Sequence, residues 1–213
     1  MSEVKEYRGA GLVVRFDSAR CIHAGECVHG APDVFDAKAK PWIQPEKGVA
    51  ERIIAVVAKC PSGALTAVKE DGSATEQPPA ISEAHLAPDG PLFLRGDISI
   101  HDGDGKLLSR ETRVALCRCG ATKTAPFCDN SHTGIGFEHD GACAQGEMKE
   151  LAAGPLKITI SGGSPAQCDG PLTVFDAFGD EVLRTDQCWF CRCGASGDKP
   201  FCDGSHRSVG FAD

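Results

Sequence analysis

Two sixteen-residue stretches carry the same four potential metal ligands at the same spacing. Cys117, Cys119, Cys128 and His132 lie in CRCGATKTAPFCDNSH; Cys191, Cys193, Cys202 and His206 lie in CRCGASGDKPFCDGSH, seventy-four positions later. Both read C-x-C-x8-C-x3-H. On an extended backbone, residues two apart project to one side, so the two cysteines of C-x-C can reach one metal atom. Cys202 and His206 form an i,i+4 pair that shares a face if CDGSH opens a helix. Asp203 then suits the N-cap, with a permissive backbone at Gly204 and, in the first copy, at Asn130. A helix start there would favour a net-negative centre. Pro126 and Phe127, like Pro200 and Phe201, should fix the approach and set an apolar wall over the site. Three thiolates and an imidazole suit tetrahedral zinc. They equally suit a [2Fe–2S] cluster with one iron on two thiolates and the other on thiolate and imidazole.

A third group of thiols precedes these. Cys21 and Cys27 bound CIHAGEC, and Cys60 opens CPSGAL after AERIIAVVAK, a segment expected to be helical. The chain has twelve cysteines. Nine fall into three groups of three, a poor count for disulfides and a good one for ligands. Of the rest, Cys188 beside Trp189 reads as a strand-packing residue. Cys143 and Cys168 fall in loop-like, Gly-rich surroundings and receive no role. His29, His85, His101 and His139 read as ordinary surface histidines.

The elements around these residues can be outlined. At 213 residues the chain suits one large domain or two to three small ones. A formal net charge of −8 argues against a nucleic-acid partner, which would need a basic face. No apolar run approaches the roughly 20 residues of a membrane span, and MSEVKEYRGAGLVVRF reads as lacking a secretory signal; a cytoplasmic protein is expected. Lys69–Gly90 has the composition of an interdomain linker. Beyond it, the repeat reads as wider than its cysteines: DGPL occurs at Asp89–Leu92 and Asp169–Leu172, and GIGF at Gly134–Phe137 matches SVGF at Ser208–Phe211. Short β-favouring runs (LFLRGDISI and RVAL, then LTVF and CWF) lie between. DGDG at Asp102–Gly105 reads as a hairpin turn rather than a calcium loop.

The repeated stretch resembles the CDGSH iron–sulfur domain of the mitoNEET family, C-x-C-x2-[S/T]-x3-P-x-C-D-G-[S/A/T]-H. The second copy matches throughout, with Ser196 at the Ser/Thr position; the first has Thr122 there and departs at Asn130. The resemblance implies two [2Fe–2S] clusters, on Cys117, Cys119, Cys128 and His132 and on Cys191, Cys193, Cys202 and His206. It also implies the tandem type, in which one monomeric polypeptide supplies both halves of a dimer. Residues 7 to 68 resemble a divergent single-cluster bacterial-type ferredoxin. That implies ligation by Cys21, Cys27 and Cys60, with Ala24 where a fourth cysteine would stand. The vacant corner favours [3Fe–4S]; His23 next door is the alternative ligand, giving [4Fe–4S].

The architecture expected is α+β: a small ferredoxin-like domain at 1–70, a linker at 71–88, then a tandem CDGSH (NEET-like) unit with a β-rich cap and two cluster-binding loops, divided into domains at 89–140 and 141–213. The function expected is a soluble electron-transfer carrier with three clusters, not an enzyme, with a flavin-dependent reductase or another redox protein as partner. The alternative is a cluster donor to an apo-acceptor, or a redox or pH sensor, since a histidine ligand protonates near neutral pH and then cannot coordinate.

Overall fold

A computed structural model describes residues 4–212. The chain divides into two compact units at Gln77/Pro78. Only 13% of it is helical, so the α+β expectation gives way to a mostly β protein. The reason is that each α-helix among the described residues is eight residues or fewer.

In the first unit, β1 (Val4–Gly9) and β2 (Leu12–Asp17) form a hairpin, and β3 (Leu65–Lys69) pairs antiparallel with the other edge of β2. Ala10 and Gly11 both take positive φ in the two-residue turn, as the right-handed twist of a tight hairpin requires. Helix α1 (Glu26–Gly30) and helix α2 (Ala50–Val57) complete the unit. Ile53, Val56 and Val57 of α2 are buried, joining Leu12, Val14, Phe35 and Ile43 in one apolar core. Each such side chain contributes about 1.5–3 kcal/mol on burial.

The second unit is built on an internal two-fold. Its first repeat is β4 (Ser82–Leu86), β5 (Leu92–Asp102) and β6 (Leu107–Leu116); its second is β7 (Leu156–Ile160), β8 (Ala166–Phe175) and β9 (Glu181–Phe190). Strands β5–β6 and β8–β9 are antiparallel hairpins. Strand β4 pairs antiparallel with β5 and parallel with β8, while β7 pairs antiparallel with β8 and parallel with β5. Each repeat thus lends its first strand to the other. Ser82 faces Leu172 and Ile98 faces Leu156; a shift of seventy-four positions turns one pairing into the other. Burial alternates along β5, with Leu92, Leu94, Ile98 and Ile100 inward, the period of two of a sheet with one face on the core.

This register corrects two expectations. The DGPL at Asp89–Leu92 corresponds to Gly163–Ala166, and the DGPL at Asp169–Leu172 to Arg95–Ile98. The two tetrapeptides are not equivalent; the first lies in the β4–β5 turn and the second at the β8 bulge between Asp169 and Leu172. The repeat begins earlier, at β4, inside the segment read as linker, and residues 138–155 connect the copies. DGDG is the turn expected: Asp102 Oδ1 accepts from the N–H of Asp104 and of Lys106 at 3.0 and 2.9 Å. Among the described residues no helix is long and apolar enough to cross a membrane.

Candidate metal centres

Each hairpin delivers its chain directly into a ligand loop: β6 ends at Leu116 and β9 at Phe190, one residue before Cys117 and Cys191. The loop then folds back onto the strand it left. The Cys117 N–H donates to Pro126 O and the Cys128 N–H to Ala115 O, both at 2.9 Å. In the second copy Cys191 N–H donates to Pro200 O at 2.8 Å and Cys202 N–H to Trp189 O at 2.9 Å. Thr122 and Ser196 cross-brace the loops, donating to the carbonyls of Phe127 and Phe201 at 2.6 and 2.7 Å. Phe127 and Phe201 pack on the core.

These bonds set four ligands per loop as two pairs. Cys117 and Cys119 bring their sulfurs to 3.6 Å, as do Cys191 and Cys193. Cys128 Sγ lies 3.5 Å from His132 Nδ1, and Cys202 Sγ 3.3 Å from His206 Nδ1. Two thiolates on one tetrahedral metal at about 2.3 Å would stand about 3.8 Å apart, so each pair spans one edge of such a metal. Among the described residues, no group of three or more His, Cys, Asp or Glu is arranged to hold a single ion.

The donors also meet the electronic needs of thiolates. Asn130 N–H and Gly204 N–H point at Cys128 Sγ and Cys202 Sγ at 3.4 Å, and Ala195 N–H at Cys193 Sγ at 3.4 Å. Residues Asn130 and Gly204 reach this pose in left-handed backbone, φ 71° and 92°. The helix expected after them is only α3 (Ser131–Ile135) in the first copy and one 3-10 turn at Ser205–Arg207 in the second. Individual N–H groups, not a helix dipole, therefore face the sulfurs. Asp129 and Asp203 stand one position before the cap. Each accepts from Ser131 or Ser205 N–H and reaches back to Lys123 or Gly197 N–H. Burial works against the Asp129 charge, yet the Lys123 and Ser131 bonds prevail and hold its pKa at about 2. Within the first pair, the Cys119 thiol bonds the Cys117 sulfur and lowers Cys117 to about 6, while Cys119 is pushed up. Burial raises Cys128 to about 11. A metal centre must therefore displace protons on binding.

The two loops meet. Cys119 and Cys193 form an antiparallel backbone bridge. The next residues, Gly120 and Gly194, have φ of 79° and 76°. A Cβ on either would stand 2.9 Å from the carbonyl oxygen of Cys193 or Cys119, so the approach requires glycine.

In the first unit, Cys21, Cys27 and Cys60 line one cavity of about 740 Å³ with His23, Ala24 and Trp42. Cys21 follows a 3-10 turn after β2, Cys27 lies in α1 and Cys60 follows α2. Burial pushes the Cys21 and Cys27 thiols up, and the neighbouring Cys60 sulfur adds to this in both. The His23 backbone stands in left-handed conformation at φ 55°. Three half-buried thiols on one cavity fit an iron–sulfur cluster. Ala24 is exposed and offers no donor atom.

Sequence reasoning missed Arg118 and Arg192, the middle residues of both C-R-C triplets, which are 3% and 4% exposed. The identical residue at the same place in two copies was the available signal. It also misplaced two residues. Cys168 is not in a loop but on β8, directly opposite Cys188 on β9, both buried. His139 is no ordinary surface histidine: its Nδ1 lies 3.2 Å from Arg118 Nη1 and accepts from Gly141 N–H at 3.0 Å. Cys143 packs against the second unit's core.

Comparison with known proteins agrees with this division. Residues 7–70 match the family described as divergent 4Fe-4S mono-cluster. Residues 89–133 and 154–207 match the iron-binding zinc finger of CDGSH type. The N-terminal region is similar to the uncharacterized protein YjdI of Escherichia coli K12, 42% identical over 59 residues, which cover 28% of this chain and 78% of that protein. YjdI of Escherichia coli O157:H7 matches to the same extent. No solved structure matches the chain. The chain belongs to the CDGSH iron-binding family through two successive domains, joined to an N-terminal domain of the divergent 4Fe-4S mono-cluster family.

Proposed function

We propose that this protein is a single-electron carrier with two [2Fe–2S] clusters in the repeated loops and a third cluster in the first unit. The observation that carries the reading is the pairing of ligands: two thiols 3.6 Å apart and a thiol–imidazole pair at 3.3–3.5 Å in each loop. Two edges suit two metal atoms per site rather than one zinc. Clusters held in this way supply reversible one-electron transfer, at potentials set by ligand type, charge and hydrogen bonds. The chain contributes the rest. N–H groups on Cys128, Cys193 and Cys202 favour thiolate, and the Cys119–Cys193 bridge brings the two ligand loops into direct contact. A flavin-dependent reductase or similar redox protein is the partner class.

For the first unit, the matched family is described as binding 4Fe-4S, which moves the reading from [3Fe–4S] to [4Fe–4S]. Three cysteines then leave one iron to a non-cysteine ligand, and His23, on the cavity wall, is the residue proposed for it. A second reading, cluster donation to an apo-acceptor, is favoured by the partial exposure of His132 and His206.

Anaerobic purification followed by absorption and low-temperature EPR, before and after dithionite, tests these assignments. Two reducible [2Fe–2S] signals and a reducible [4Fe–4S] signal are expected. Colourless protein containing zinc would end the carrier reading, and a three-iron signal in the oxidised protein would return the first unit to [3Fe–4S]. Rapid transfer of clusters to an apo-acceptor, with slow cycling against a reductase, would favour donation.

A further inference from the structure

Cys168 and Cys188 belong to none of the three ligand groups and have no counterpart in the first repeat, which places Leu94 opposite Val114 at the same site. The two thiols face each other on β8 and β9, within a run of four direct pairs from Ala166–Phe190 to Asp169–Gln187. Side chains of a directly opposed pair leave the sheet on the same face, and both of these lie in the unit's apolar core, 1% and 6% exposed. Both are free thiols. Opposed residues of an antiparallel ladder have Cα atoms about 4.5 or 5.5 Å apart, and disulfides span about 4.4–6.8 Å. Either spacing permits a bond. The Cβ atoms, at about 4.5–5.5 Å, must close to about 3.5–4.5 Å, so the bond is strained and readily reduced.

The second ligand loop covers the strand that carries Cys188. Strand β9 ends the sheet, and its free edge is taken by that loop: Cys202 N–H donates to Trp189 O at 2.9 Å, and Cys191 N–H to Pro200 O at 2.8 Å. Phe201 of the loop stacks on Phe190, ring centres 5.6 Å apart, and packs on the core that holds both thiols. Two ligands of the site thus clamp β9 beside Cys188. In this closed form the pair is inert. Cys188 at its side, then burial, pushes the Cys168 thiol well above its usual range, and the thiolate, not the thiol, is the nucleophile.

We infer that Cys168 and Cys188 are a reversible oxidation site, protected by the occupied second ligand loop and converted to a cross-strand disulfide when that loop opens on loss of its metal centre. The oxidant is a small-molecule disulfide such as oxidised glutathione. The Cys188 thiolate attacks one of its sulfurs and expels one small thiolate. The Cys168 thiolate then attacks the Cys188 sulfur of the mixed disulfide and expels the second. Two protein thiols give up two protons and two electrons, and one small disulfide becomes two thiols. This goes beyond the carrier reading and needs only that Cys191, Cys193, Cys202 and His206 hold a metal centre.

The test compares the full-length protein, metal-loaded and after chelation, during incubation with oxidised glutathione. Samples are denatured in alkylating agent, digested and mapped by mass spectrometry. A peptide linked through Cys168 and Cys188 is expected, forming at least about tenfold faster in the chelated protein, because buried thiols react only through locally opened states. Excess reduced glutathione should restore both thiols, and Cys168→Ser should stop at a glutathione adduct on Cys188. Cys168 and Cys188 recovered as alkylated free thiols in both forms would overturn the inference, as would linkage of either to a ligand cysteine in place of the pair. Equal rates in the two forms overturn it as well, since the loop then protects nothing. A colourless, zinc-loaded protein that still shows the tenfold difference on chelation would end the carrier reading and leave this inference standing.

Discussion

The first and second CDGSH motifs correspond residue for residue in the bonds that shape their loops, and differ in what surrounds them. Thr122 and Ser196, Asp129 and Asp203, and Arg118 and Arg192 make matching contacts. Around the first, His139 bonds Arg118 and Gly141 N–H; its counterpart in sequence is Asp213. Around the second, the connecting segment runs along β9, with Gly146 N–H on Val182 O and Arg184 N–H on Glu147 O. Ligand geometry is thus set within the loop and duplicates with it, whereas coupling to the rest of the unit is particular to each copy.

The largest expected effect comes from removing a ligand. Cys202→Ala should abolish the second site, with loss of that cluster's iron and absorbance, and leave the first intact. If iron analysis shows both sites lost together, the Cys119–Cys193 bridge makes the loops one cooperative unit, and the comparison between separate sites fails. A smaller effect is expected at the bridge itself. Gly194→Ala and Gly120→Ala force a side chain into left-handed backbone and against the opposite carbonyl, a cost of about 1–3 kcal/mol. Thermal melts should show the two variants equally destabilised. Unequal losses would reveal that the two-fold is broken at its centre.

What the sequence made legible follows from the range of the interactions involved. The ligand loops were readable because their geometry depends on bonds among residues a few positions apart, such as Asp203 to Gly197 and Ser205. The β-favouring runs and the Asp102 turn were readable for the same reason. The additional pairing of β4 and β7 with the opposite repeat was not, since pairing Ser82 with Leu172 is a long-range event that no local pattern encodes. DGPL misled because four residues matched by composition at a spacing that differs from the cysteine repeat. The buried arginines went unread because a charged residue between two ligands looks exposed until the turn carbonyls of Gly90 and Ser164 are folded over it.

Core composition offers a finer contrast. The second repeat carries Cys168 and Cys188 where the first has Leu94 and Val114, and both are facing pairs on a hairpin. With the thiols reduced, both pairs are packing residues. Cys168→Leu with Cys188→Val adds volume to a packed site and should cost about 1–3 kcal/mol in denaturant unfolding, with both clusters' absorbance unchanged. Cluster loss in that variant would give the pair a part in holding the metal centre.

The smallest effect is expected where the motifs themselves depart. Asn130 holds φ 71° in the first loop and Gly204 holds 92° in the second, each presenting its N–H to a cysteine sulfur at 3.4 Å. Left-handed backbone costs an ordinary L-residue about 1–2 kcal/mol, and asparagine less because its short polar side chain tolerates it. Asn130→Gly should therefore relieve a fraction of that cost in the folded protein, while glycine's greater freedom in the unfolded chain takes part of it back. The net gain should stay below about 1 kcal/mol, read as a small rise in the temperature at which the first site loses its absorbance. The second site, whose turn already carries glycine, should not move. A fall at the first site would mean that the Asn130 carbonyl bonds to Thr133 need the stiffer residue, so that the first loop is held by its turn as much as by its sulfur contact.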